Sequence, residues 1–273
     1  MKNITYLVAL LMISACEKEE ENPNTIPAYL KIDSITLDEN NTTTNITDAW
    51  VYINDQLQGV YELPALFPVL ENDYQTLRIK AGIKSNGIAS TRIAYPFYAS
   101  FINTVMLTPK QTITVNPRVS YLESTHFFLE DFEGAGVDLE TTIISNAILL
   151  EFTDSLGNQY GGGVLTDSLM TFEIATDELL DLPQAGAPVF LELDYKCNTE
   201  FLVGVYINFP QSVLQKDLLW INPKDDWNKI YINLTSTISE GVGAESFKVF
   251  IGMKRDFSLD KNELYFDNIK VVY

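Results

Sequence analysis

The sequence predicts an all-β protein built as two sandwiches in tandem. Three observations carry this. Helical periodicity is confined to one turn's worth of residues at 177–181. β-Branched and aromatic residues recur in short alternating runs broken by Asn, Asp, Gly and Pro. The chain has 273 residues, 46% hydrophobic and 12% aromatic, which is long for one domain and enough to fill two cores.

The elements follow in order from the front end. Lys2 gives residues 1–15 a positive start, 6–13 (YLVALLMI) is a short apolar run, and Ser14 and Ala15 are small. This is the layout of a secretory signal, and its apolar run is too short to cross a bilayer. The next residue is Cys16, so the cleavage region reads Ile13-Ser14-Ala15-Cys16 and resembles the lipobox of bacterial lipoproteins. The resemblance implies removal of 1–15 and a covalent lipid on Cys16. Several acyl chains make a firm membrane anchor, because each buried methylene contributes about 0.8 kcal/mol. Residues 16–27 are charged and contain proline, and they read as a solvated tether. Within them Lys18-Glu19-Glu20 resembles the export signal of Bacteroidota surface lipoproteins. That likeness implies a place on the outer face of the outer membrane.

Residues 28–117 form the first block. Residues 28–35 alternate. Residues 50–53 and 59–63 flank Asn54-Asp55-Gln56 and read as a β-hairpin. Pro64 and Pro68 are expected to end that pattern, since proline cannot donate to a ladder. Further strands are expected at 75–80, 95–98 and 111–115, with turns at Gly82 and Gly87. Six or seven strands in this length predict an immunoglobulin-like β-sandwich. The hairpin also resembles carboxypeptidase-regulatory-type sandwiches.

Asn116-Pro117 is the expected boundary, and 118–273 the second block. Strands are expected at 126–132, 147–152, 169–174, 189–197, 201–207, 229–234, 247–251 and 264–272, a spacing that predicts a β-jelly-roll sandwich. The triple glycine 161–163 reads as a turn or bulge. The block opens with Glu130-Asp131-Phe132-Glu133-Gly134, carries Trp227 three residues before Ile230, and closes with Phe266-Asp267-Asn268-Ile269. In order and placement these elements resemble galactose-binding-like and carbohydrate-binding-module jelly rolls. The resemblance implies a structural Ca2+ between first and last strands, held by Glu133 and Asp267, with Asp131 and Asn268 as lesser candidates. Calcium takes six to eight oxygens, so carboxylates and amides are the right donors. Without a cation, neighbouring carboxylates on these strands would repel.

Catalytic signatures are missing. The single histidine, His126, sits in an apolar strand, and zinc sites and Ser–His–Asp triads need more than that. No P-loop, G-x-S-x-G or H-E-x-x-H pattern occurs. The expectation is therefore a non-enzyme, with glycoside hydrolysis left as the chemistry two acidic residues could perform. With Cys16 lipidated, Cys197 has no internal disulfide partner and reads as a small buried hydrophobe. Sugar rings stack on aromatic faces, which makes Tyr160, Tyr195, Trp220 and Trp227 candidate ligand contacts. Each also fits a core position, and the strand pattern around Trp227 points it inward.

A net charge of −19, from 18 basic and 37 acidic residues, excludes nucleic acid as a partner. The expected partners are the membrane, through the lipid, and either a glycan or an outer-membrane protein of an uptake, secretion or adhesion complex. Three Asp-Ser-hydrophobic triplets, at 33–35, 154–156 and 167–169, resemble the O-glycosylation motif of exported Bacteroidota proteins.

Overall fold

The computed structural model describes residues 26–39 and 43–273. The signal segment, Cys16 and the Lys18-Glu19-Glu20 motif lie outside them. The described chain is all-β apart from one short helix.

The first unit contains β1 (Ala28–Ile32), β2 (Thr36–Leu37), β3 (Asp48–Ile53), β4 (Gln56–Glu62) and β5 (Ala65–Val69), then β6 (Asp73–Lys84), β7 (Arg92–Ala94), β8 (Phe101–Leu107), β9 (Thr112–Val115) and β10 (Arg118–Val119). One sheet has the order β5-β1-β9. The other runs β4-β3-β6-β7, with β8 also paired to β6. Alternate residues of both meet in one core, among them Leu30, Ile32, Phe67, Val51, Leu77 and Ile79. Asn54 and Asp55 both take positive φ, 48° and 65°, which gives the β3–β4 hairpin the twist a two-residue turn requires. Pro68 does not end the pattern as expected. It lies inside β5, which is an edge strand, where a missing N–H costs no ladder bond. The unit also runs past residue 117. β10 pairs with β2, and Val119 and Tyr121 belong to the first core.

The second unit contains β11 (Phe127–Glu130), β12 (Leu139–Thr141), β13 (Leu150–Thr153), β14 (Gln159–Leu165), β15 (Thr171–Thr176) and β16 (Phe190–Cys197), then β17 (Phe201–Phe209), β18 (Ser212–Ile221), β19 (Lys224–Asn233), α1 (Thr235–Ser239), β20 (Ser246–Lys254) and β21 (Asn262–Val272). One sheet has the order β13-β14-β21-β16-β19, with β11 also on β21. The facing sheet is β12-β15-β20-β17-β18. Together they make the expected jelly-roll sandwich, whose core holds Leu191, Leu193, Tyr195 and Cys197 from β16 and Phe201, Val203, Val205 and Ile207 from β17. Burial pushes the Cys197 thiol pKa up, so the side chain behaves as a packed hydrophobe.

The triple glycine is not a turn. Gly161, Gly162 and Gly163 lie inside β14. A Cβ on Gly161 would lie 2.3 Å from the Phe132 ring, and one on Gly163 2.4 Å from Phe172. Glycine is needed there because core aromatics press against the backbone.

The two units share a core. Phe190, Tyr231 and Val272, on the outer face of the β13–β19 sheet, join the cluster formed by the first unit. Tyr95 packs edge-on against Phe190 and Tyr231, with centroids 5.4 and 5.0 Å apart. Glu192, fully buried, accepts hydrogen bonds from the Tyr95 hydroxyl (2.7 Å) and the Tyr121 hydroxyl (2.8 Å). Lys229 Nζ lies 3.5 Å from Glu192 and 3.9 Å from Asp194, so the buried charges compensate one another.

Candidate functional site

The first unit covers only part of that outer face. On β16 the outward residues are Phe190, Glu192, Asp194 and Lys196, and cover ends at Asp194, where Thr43 donates a hydrogen bond to its carboxylate. Beyond this line the sheet is open.

Four aromatic side chains lie on the open part. Phe152 on β13 stacks on Tyr160 of β14, with ring centroids 5.5 Å apart and an interplanar angle of 16°. Tyr265 of β21 meets both edge-on, at 5.2 and 5.8 Å. Trp227 of β19 meets Tyr160 edge-on at 5.3 Å and is 47% exposed. Gly162 sits opposite Tyr265 and beneath Phe152, where a Cβ would lie 2.8 Å from one ring and 3.1 Å from the other. Its missing side chain makes room for the Tyr265 and Phe152 rings. The result is an apolar platform of fixed geometry on an otherwise polar face.

A polar pocket of about 450 Å3 adjoins it, with Asp154, Asn158, Asp194, Trp227, Asp267 and Asn268 in its wall. The β13–β14 turn builds one side: Asp154 accepts from the backbone N–H of Leu156 (2.7 Å) and of Asn158 (3.0 Å). That turn places Asn158 Nδ2 3.1 Å from Asp267 Oδ2. Asn268 takes φ +49° where β21 is irregular against β16. Its backbone N–H donates to Asp267 Oδ1 (2.7 Å) and its Nδ2 to Asp194 Oδ2 (2.9 Å). Burial pushes the Asp267 pKa up to about 6. Hydrogen bonds from Asn158 and Asn268 oppose the shift, while Asp194 and Asp131 add to it.

Of the sequence candidates, Tyr160 and Trp227 come together on the platform. Trp227 does not point inward as expected: it lies three residues before core-facing Ile230, and an odd spacing in a strand changes face. Tyr195 is core, 3% exposed and edge-on to Phe201. Trp220 is 45% exposed at the end of β18, in a separate pocket. Phe152, Tyr265, Asp194 and Asn158 were missed. They come from separate strands and a turn, so no local spacing announces them.

The structure places the expected calcium ligands as follows. Asp131 and Asp267 are close enough to influence each other, but Glu133 Oε1 accepts from the Gln159 N–H (2.8 Å), and both Asp267 oxygens accept from N–H donors. Among the described residues, no group of three or more His, Cys, Asp or Glu could hold a metal ion.

No protein-family model matches the chain, and no curated protein matches it. Among solved structures, it is similar to the family 11 carbohydrate-binding module of Clostridium thermocellum, in complex with a β-1,3-1,4-mixed-linked tetrasaccharide. Identity is 14% over 54% of this chain and 94% of that one, with a TM-score of 0.40. It is also similar to the family 22 module and GH10 portion of the Clostridium thermocellum xylanase 10B, complexed with xylohexaose. There identity is 12% over 55% of this chain and 28% of that one, with a TM-score of 0.41. A third is the K2 adhesin domain of Lys-gingipain, at 10% identity over 53% of this chain and 97% of that one, with a TM-score of 0.37. At these scores the likenesses speak to neither ligand nor mechanism.

Proposed function

We propose that this protein is a non-catalytic carbohydrate-binding lipoprotein of the outer-membrane surface, held by a lipid on Cys16, and that glycan lies on the Trp227–Tyr160–Phe152–Tyr265 platform. The observation that carries the reading is the pairing of an aromatic cluster, half-buried at Phe152, Tyr160 and Tyr265 and exposed at Trp227, with a polar pocket. Pyranose C–H faces stack on such rings, and carboxylates and amides bond the equatorial hydroxyls. Asp194 and Asp267 are each held by at least two donors, which fixes acceptors in place for a ligand and reduces the ordering cost of binding.

The test is a glycan array with the chain from residue 26 onward, followed by calorimetry on any hit. Trp227→Ala and Tyr160→Ala should each weaken binding about tenfold or more, about 1.4 kcal/mol, with the melting temperature of Trp227→Ala close to the parent's. Neutral glycans that bind both variants as tightly as the parent would overturn the reading.

One observation favours a second reading, glycoside hydrolysis: Asp267, with its pKa near 6, shares a pocket with Asp194 beside the platform. Its test is release of reducing ends from a bound glycan, abolished by Asp267→Asn.

A further inference from the structure

A second pocket, of about 440 Å3, opens between the two units on the other side of β19. One wall is the Asn86–Gly87 turn of the first unit. It is pinned to β19 by Asn86 N–H donating to the Tyr231 carbonyl (2.7 Å) and by the Asn233 N–H donating to Asn86 Oδ1 (2.8 Å). The other wall is the β18–β19 connection, where Trp220, Asn222 and Lys224 follow at every second residue. An aromatic ring, an amide and an ammonium thus line this wall.

The charge of this pocket is unusual for the chain. Acidic residues outnumber basic ones 37 to 18, yet the pocket wall holds three lysines and no carboxylate. Two of the lysines are committed, Lys229 to Glu192 and Asp194, and Lys84 to Glu62 at 3.5 Å. Lys224 has no ion-pair partner among the described residues, and Asn222 makes no side-chain hydrogen bond among them. Trp220 is 45% exposed with no ring packed on it among the described residues. Three uncommitted groups of complementary chemistry thus meet in one concavity.

We propose that this junction pocket is a second sugar site, distinct from the platform, that takes a carboxylate-bearing sugar of the uronic-acid type. The pyranose face stacks on Trp220, Asn222 bonds a ring hydroxyl, and Lys224 pairs with the carboxylate. The acidic platform pocket, lined by Asp154, Asp194 and Asp267, repels such a sugar, so the two sites differ in the charge they accept. The cation is what separates this ligand from a neutral hexose, which has no charge to pair with Lys224.

The test is calorimetry of the purified protein with a short oligogalacturonate, with its methyl-esterified counterpart, and with a neutral glucan of similar length. The expected result is binding of the acid form that weakens as salt is raised, and loss of about tenfold or more in both Trp220→Ala and Lys224→Gln. Trp227→Ala should bind the acid form as the parent does. Lys224→Gln removes only an exposed ammonium, so it keeps the test valid should Trp220→Ala fold poorly. Equal binding of acid and ester, unchanged affinity in Lys224→Gln, loss in Trp227→Ala instead, or no binding of the acid form would each overturn the proposal. Because the platform is read out with neutral glycans and Trp227, either site can fail without the other.

Discussion

Removing one hydroxyl from the interface should destabilise the whole described chain, because the charge it serves is sealed between the two units. Tyr121 and Tyr95 donate to Glu192, which is fully buried, and burial together with the Glu192 charge raises both phenol pKa values, so the hydroxyls remain protonated donors. Tyr121→Phe keeps the ring that packs edge-on to Tyr98 at 5.0 Å and deletes the donor to Glu192. A hydrogen bond to a charged group contributes about 1.5–3 kcal/mol, and each single variant should lose that much. The double variant with Tyr95→Phe should lose less than the sum, because both donors serve one carboxylate and Lys229 remains 3.5 Å away. Against a total stability of about 5–15 kcal/mol the loss is large. Denaturant unfolding followed by tryptophan fluorescence measures it. Trp50 reports the first unit and Trp220 and Trp227 the second, so single-tryptophan versions can resolve the two units. Losses under about 0.5 kcal/mol in both single variants, or separate transitions for the two units in the parent, would refute the reasoning.

Other consequences are as direct. Asp267 has its folded pKa raised from 3.8 to about 6, so its contribution to stability is fully present below pH 3.8 and lost as pH rises through 6. The gap converts to about 3 kcal/mol at most, about half that with water at the pocket mouth, so Asp267→Asn should be more stable than the parent at pH 8 and no more stable at pH 4; a parent-minus-variant difference flat with pH would refute this. Gly163→Ala places a methyl 2.4 Å from the Phe172 ring and should cost about 1–3 kcal/mol or more, while Gly136→Ala, with nothing within 4 Å, should change the melting temperature little. Cys16→Ser should abolish palmitate labelling and detergent-phase partitioning, and normal labelling of that variant would sink the anchor. Neutralising Lys18, Glu19 and Glu20 together should remove protease access in intact cells.

Alternation made most of the fold legible. Strands whose apolar face is buried declared themselves, as in 189–197 and 264–272, and the Asn54-Asp55 turn did so through residues that tolerate positive φ. β18 did not, because both its faces are largely exposed and an edge strand need not alternate. The glycines at 161–163 misled because glycine signals flexibility locally, whereas here Phe132, Phe172 and Phe266 demand it from elsewhere in the fold. Half of the platform was readable: Tyr160 and Trp227 could be named, but Trp227 was assigned to the wrong face despite its odd spacing from Ile230. Phe152 and Tyr265 became visible only through strand order, which brings β13, β14 and β21 side by side.

The outward residues of β16 hold the deeper lesson. Phe190, Glu192, Asp194 and Lys196 alternate with core residues, and a polar row of this kind reads as a solvent face. Instead the row changes surroundings along its length. Phe190 enters the first unit's core, Glu192 is sealed by two phenols, Asp194 meets Thr43 at the edge of cover, and Lys196 is in the open. The first unit is therefore no passive spacer. Thr43 and Thr44 help form the rim of the platform pocket, and Asn45, whose Nδ2 donates to the Lys229 carbonyl (2.8 Å), lines the basic one. The Asn86–Gly87 turn of the same unit walls the basic pocket on the far side of β19. Both concavities thus take a wall from each unit, and the buried Glu192–Lys229 charges lie beneath their shared border at Asn228 and Lys229. Docking one sandwich against half a sheet stabilises the pair and, by the same contacts, shapes both concavities.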